Sequence, residues 1–120
     1  MLAFHHVNLA VPPGRMQEEM DFLVQVLGLR RVVPDDSLAG LDVRWFEFPT
    51  GGQVHLSEDP DFVPSSRAHV AVRVGPDLDA VEGRVQRAGL KTKRSAFSGG
   101  AVVFCTDPAG NRWELRDVPD

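Results

Sequence analysis

The sequence repeats itself, and that repeat limits the possible architectures more than any single motif. The segment His6-Val7-Asn8-Leu9-Ala10-Val11 lines up with His69-Val70-Ala71-Val72-Arg73-Val74, and Leu27-Gly28-Leu29 lines up with Ala88-Gly89-Leu90. Further on, Thr50-Gly51-Gly52-Gln53-Val54-His55-Leu56 matches Pro108-Ala109-Gly110-Asn111-Arg112-Trp113-Glu114-Leu115, with one extra residue in the second copy. His55 and Glu114 are therefore equivalents. Self-similarity on this scale means that one folding unit occurs twice.

Each copy runs through the same order of elements. Residues Ala3 to Val11 alternate and stop at Pro12-Pro13-Gly14, a run that no central strand continues through. From Arg15 to Leu27, the apolar residues Met16, Met20, Leu23, Val24 and Leu27 fall at helical spacing, and Gly28 supplies the stop. Leu29 to Val33, Asp42 to Phe48 and Gln53 to Ser57 read as strands. After an acidic, proline-containing connector from Glu58 to Arg67, the order starts again. His69 to Val74 is a strand, and Leu78, Val81, Val85 and Ala88 form a helical stripe. Leu90 to Lys93, Ala101 to Cys105 and Arg112 to Arg116 are three more strands. The expected fold is α+β: two βαβββ modules in tandem, about 1–60 and about 66–120 of a single domain 1–120. Mixed sheets would curl around a concave cavity, with the helices outside.

Composition narrows the partners. A chain of 120 residues with 42% hydrophobic residues can bury a core without staples. Its one cysteine, Cys105, forms no internal disulfide and reads as a small buried hydrophobe. A net charge of -4 argues against nucleic-acid and anionic-membrane binding, which both need a basic surface. The start lacks a basic leader, and no apolar run reaches the roughly 18 residues of a membrane span, so the expected location is cytoplasmic.

Strand parity then sorts the chemistry. His6 shares a face with Phe4, Asn8 and Ala10, while Val7, Leu9 and Val11 take the other. By the same rule His69 lies with Ala71 and Arg73, His55 with Gln53 and Ser57, and Glu114 with Arg112 and Arg116. His5 has the opposite parity and reads as a surface or structural residue. Imidazoles and a carboxylate on matched polar faces suit a borderline divalent ion such as Zn, Ni, Mn or Fe, with coordination positions left for water or substrate.

Four phrases carry a family likeness: Phe4-His5-His6-Val7-Asn8-Leu9-Ala10-Val11, Gln53-Val54-His55-Leu56, Ala68-His69-Val70-Ala71-Val72 and Asp107-Pro108-Ala109-Gly110-Asn111-Arg112-Trp113-Glu114-Leu115. Together they resemble the vicinal oxygen chelate superfamily. It includes glyoxalase I, fosfomycin-resistance thiol transferases, extradiol dioxygenases, methylmalonyl-CoA epimerase and bleomycin-binding proteins. The resemblance implies metal ligands at His6, His69 and Glu114, with His55 on the strand that supplies a fourth ligand in some branches. Glyoxalase I and the epimerase usually carry Glu or Gln there, so His55 removes a carboxylate base. Extradiol dioxygenases generally use a tyrosine, and this chain has none; bleomycin binders lack the metal ligands.

The expected function is a glyoxalase-like, metal-dependent lyase, isomerase or transferase acting on a small molecule chelated through vicinal oxygens. Glu114 is the candidate catalytic base. Asn8, Trp45, Arg73 and Arg116 are the candidate substrate contacts, the two arginines for an anionic group. The alternatives are a non-catalytic sequestering protein of the bleomycin-resistance type, or an extradiol-dioxygenase-like enzyme. Sheets of four strands leave open edges, and relatives of this length resemble homodimers, so a homodimer is expected.

Overall fold

The computed structural model describes residues 1–33 and 42–117. The chain divides into two compact units, Met1–Phe62 and Val63–Asp120. In the first, strand β1 (His6–Val11) leads into helix α1 (Met16–Asp21), followed by β2 (Arg30–Val32), β3 (Arg44–Glu47) and β4 (Gln53–Glu58). In the second, β5 (His69–Arg73) leads into α2 (Leu78–Arg87), followed by β6 (Thr92–Phe97), β7 (Gly100–Thr106) and β8 (Arg112–Arg116). The sheet orders are β1-β4-β3-β2 and β5-β8-β7-β6. In both, the first strand pairs parallel to the last and the other pairings are antiparallel. The twofold βαβββ reading holds.

The registers also match. His55 stands opposite Asn8 on one side and Trp45 on the other; Glu114 stands opposite Ala71 and Phe104. Because His6 and His69 sit two residues before Asn8 and Ala71, the equivalence of His55 and Glu114 is a matter of ladder position as well as sequence. Parity separates two faces. Val54, Leu56, Val11 and Phe46 are buried on one side of the first sheet, as are Trp113, Leu115, Val103 and Cys105 in the second.

Helix α1 departs from the expected stripe. After Asp21 the backbone widens into a π-helical stretch, Phe22–Val26, in which Leu27 N–H donates to Phe22 C=O at 3.1 Å. One residue more per turn shifts the phase of everything downstream. Phe22, Leu23 and Val26 are therefore the buried residues, while Val24, which a regular 3.6-residue period places inside, is 42% exposed.

Strand β6 is displaced from Leu90–Lys93 to Thr92–Phe97. It bonds to β7 alone, and Lys93, Arg94, Ser95, Ala96 and Phe97 are all exposed, so no apolar alternation marks it in the sequence. Charged residues on such an edge oppose pairing with other chains. None of the described helices is long and apolar enough to cross a membrane.

Candidate functional site

In the first module, three rings from three adjacent strands stack. The His6 and His55 rings lie 3.9 Å apart at 14°, and the indole of Trp45 covers the other side of His55 at 4.5 Å and 12°. His55 is only 8% exposed as a result. Its Nε2 is 2.8 Å from Gln53 Oε1, and with the amide oxygen as acceptor this nitrogen carries the proton. Burial is the largest cause holding the His55 pKa below its ordinary value, followed by the neighbouring His6 and His5. Asn8, the cross-strand partner of His55, donates to Ser57 Oγ at 2.8 Å. Phe46 is fully buried in the core, and Phe4 is 67% exposed with its ring beside Gly52.

His5 belongs to this group. Its Nδ1 is 2.8 Å from His6 Nδ1, and its ring meets His55 edge-on at 6.4 Å. Parity left it apart, but His5 precedes the first residue of β1, so strand alternation does not govern where its side chain goes.

The second module assembles a different set. His69 Nδ1 lies 2.9 Å from the Arg67 carbonyl oxygen. A carbonyl only accepts, so Nδ1 is protonated, and in the neutral ring Nε2 is the nitrogen with the lone pair. That Nε2 is 3.7 Å from Glu114 Oε1. The other carboxylate oxygen, Oε2, accepts from Arg116 Nη1 at 2.8 Å. Arg73 is exposed and stands opposite Arg116 in the ladder.

Glu114 is aimed by the turn before it. Asp107, 3% exposed, accepts with Oδ1 from the N–H groups of Ala109, Gly110 and Asn111 at 3.1, 3.0 and 2.8 Å. Its Oδ2 accepts from Trp113 Nε1 at 2.8 Å. One carboxylate thus closes the turn and fixes the residue adjacent to Glu114. The Asp-Pro-Ala-Gly-Asn phrase is visible in the sequence; that its first residue bonds to an indole six positions on is a fact of the fold.

Sequence reasoning assigned His6, His55, His69 and Glu114 to one metal site, with Asn8, Trp45, Arg73 and Arg116 as substrate contacts; the structure stacks His6, His55 and Trp45 within the first module and sets His69 beside Glu114, with Arg116 on its carboxylate, within the second. Among the described residues, no three His, Cys, Asp or Glu side chains stand close enough to hold a metal ion.

The family model for the Glyoxalase/Bleomycin resistance protein/Dioxygenase superfamily matches residues 3–115. The chain belongs to this superfamily. Among solved structures, a glyoxalase/dioxygenase from Nostoc punctiforme is 24% identical, with 98% of this chain and 92% of that one covered and a TM-score of 0.81. The genomically encoded fosfomycin resistance protein FosX from Listeria monocytogenes is 15% identical over 99% and 93% of the two chains, with a TM-score of 0.80. The oxidase ChaP-H2 is 21% identical over 98% and 94%, with a TM-score of 0.76. At these identities the likeness is one of fold. No curated protein matches the chain in sequence. The glyoxalase-superfamily fold accounts for the doubled βαβββ order.

Proposed function

We propose that this chain is a metal-dependent, glyoxalase-like enzyme, a lyase, isomerase or transferase, that acts on a small molecule held through vicinal oxygens. The observation that carries the reading is the second-module pair: an imidazole whose Nδ1 is held by the Arg67 carbonyl and whose Nε2 faces a carboxylate with one oxygen already anchored. A histidine whose far nitrogen donates to a backbone carbonyl is oriented as metal-binding histidines are. His6, His69 and Glu114 are the proposed ligands of a divalent ion. His55, with Nε2 bonded to Gln53, has Nδ1 left for a fourth position. The bound ion supplies Lewis acidity toward a substrate oxygen.

The chain's own residues do the rest. The Arg67 carbonyl keeps His69 in the required tautomer. Arg116 holds Glu114 Oε2, so Oε1 is the atom that ligates or takes a proton. Asn8 and Trp45 orient the substrate from the first module, and Arg73 engages an anionic group. The functional unit is a homodimer, which sedimentation at micromolar concentration tests.

A second reading, non-catalytic sequestration of a planar compound, draws on the Trp45–His55–His6 stack. Metal content separates the two. Protein purified without chelator is expected to hold stoichiometric divalent metal, lost in His69→Ala and Glu114→Gln. A protein that takes up no metal on reconstitution, yet binds a planar ligand lost in Trp45→Ala, sinks the enzyme reading.

A further inference from the structure

The open face of the second sheet holds a cationic groove. Across the sheet, one row runs Ala71, Glu114, Phe104, Lys93, and the next runs His69, Arg112, Thr106 and, just before β6, Lys91. A cavity of about 360 Å³ opens at the far end of these rows, lined by Lys91, Lys93, Arg112, Ser95, Thr106 and Phe104 among others, with no carboxylate among its lining residues. An adjoining cavity of about 460 Å³ shares Phe104 and Arg112 and reaches His69.

The first module shows what this row looks like when it is neutralised. There the equivalent positions are His6, Gln53, Glu47 and Arg30, and Glu47 pairs with Arg30 in a salt bridge. In the second module Thr106 stands at the Glu47 position, and Arg112 and Lys91 replace Gln53 and Arg30. Arg94, on the same edge strand, is held by Glu82 and Asp79 at 2.6 and 2.9 Å. Lys91, Lys93 and Arg112 take part in no ion pair with an acidic residue among the described residues. The Arg112 guanidinium is steadied by donation to the Ser66 carbonyl. Three cations, the hydroxyls of Thr92, Ser95 and Thr106, and no acid in a chain of net charge -4 amount to a localised anion site.

We propose that this groove binds a tetrahedral, phosphate-type dianion carried on a small ligand, with Phe104 packing against the body of that ligand. The lysines act as point charges, the Arg112 fork supplies directed donors, and Ser95 and Thr106 donate hydroxyl hydrogens. Because the groove lies on the same sheet face as His69 and Glu114, it names the substrate class of the proposed enzyme, and that step rests on the metal-site reading.

The test titrates metal-free, chelator-treated protein with inorganic phosphate and with phenyl phosphate at fixed ionic strength, following backbone amide shifts and heat. Saturable shifts are expected at residues 91–95 and 104–106, with phenyl phosphate the tighter ligand. The Lys91→Ala/Lys93→Ala double variant is expected to bind at least tenfold more weakly. Thr106→Glu, which copies the first module, is expected to abolish binding; all three positions are exposed, so the fold tolerates the changes. Shifts that chloride reproduces at equal ionic strength, or variants that bind as the parent does, overturn the site. Phosphate binding in a protein that never takes up metal keeps the anion site and removes its assignment to a substrate, so the two readings fail separately.

Discussion

The two modules share a backbone plan and differ in how they fill it. In the first, the cross-strand core pair is Phe46 on β3 with Val54 on β4; in the second it is Cys105 on β7 with Trp113 on β8. The large side chain has changed strands and the small one has moved opposite it. Core packing constrains summed volume across a contact more tightly than the identity of either partner. The open faces obey no such constraint. One became a stack of imidazoles and an indole, the other a carboxylate among cations. Duplicated cores preserve volume, whereas duplicated open faces are free to diverge in chemistry.

The largest effects lie in those core pairs. Phe46 and Trp113 are each fully buried, and truncating either to Ala is expected to cost about 4 kcal/mol, by loss of burial and by the cavity left behind. The comparison sharpens with a swap. Val54→Trp alone overpacks the first module and is expected to destabilise by about 2 kcal/mol, and Phe46→Cys in the same chain should recover part of that loss. Urea midpoints of the single and double variants decide the matter. If the double variant is as unstable as the sum of the singles, the two pairs are not volume-equivalent.

A smaller effect separates the turns. Asp107→Ala strips acceptors from three backbone N–H groups and from the buried Trp113 indole, an expected loss of about 3 kcal/mol. The first module makes its β3–β4 turn with Gly51 and Gly52 at positive φ, bonding Phe48 to Gly52 and Gly51 to Phe48 through the backbone. Thr50→Ala there is expected to change stability by less than about 0.5 kcal/mol. Comparable losses at the two positions would mean that the carboxylate is not what holds the second turn.

How much of this was legible in the sequence follows from what each residue answers to. The repeat and the β8 motif were readable because apolar alternation and turn residues are local demands. The phase of α1 was not, since nothing in Phe22-Leu23-Val24-Gln25-Val26 announces a π-helical stretch; packing of Phe22, Leu23 and Val26 selects it. Strand β6 was displaced because an edge strand exposed along most of its length carries solvent's pattern instead of the core's. In the candidate site, parity found His6, His55, His69 and Glu114, but the carbonyl behind His69, the arginine on Glu114 and the contact of His5 depend on side-chain geometry that strand alternation does not encode.

The smallest expected effect concerns the ring that differs most between the modules. Where the second has Glu114, the first has His55, buried beneath Trp45 and His6, and burial with two neighbouring imidazoles lowers its pKa in the fold. Above the ordinary value of 6.5 the ring is neutral in both folded and unfolded chains and contributes no pH dependence. As pH falls through 6.5, the unfolded chain takes up a proton that the fold still refuses, so the unfolded state gains and stability declines. The decline ends once pH is below the lowered folded value. Urea midpoints between pH 7.5 and 5.5 are therefore expected to fall more steeply for the parent than for His55→Gln, which keeps a planar polar group and removes the titration. Parallel slopes in the two proteins would show that the stacked ring accepts its proton as readily folded as unfolded, and that burial in the first module leaves the charge of its open face unconstrained.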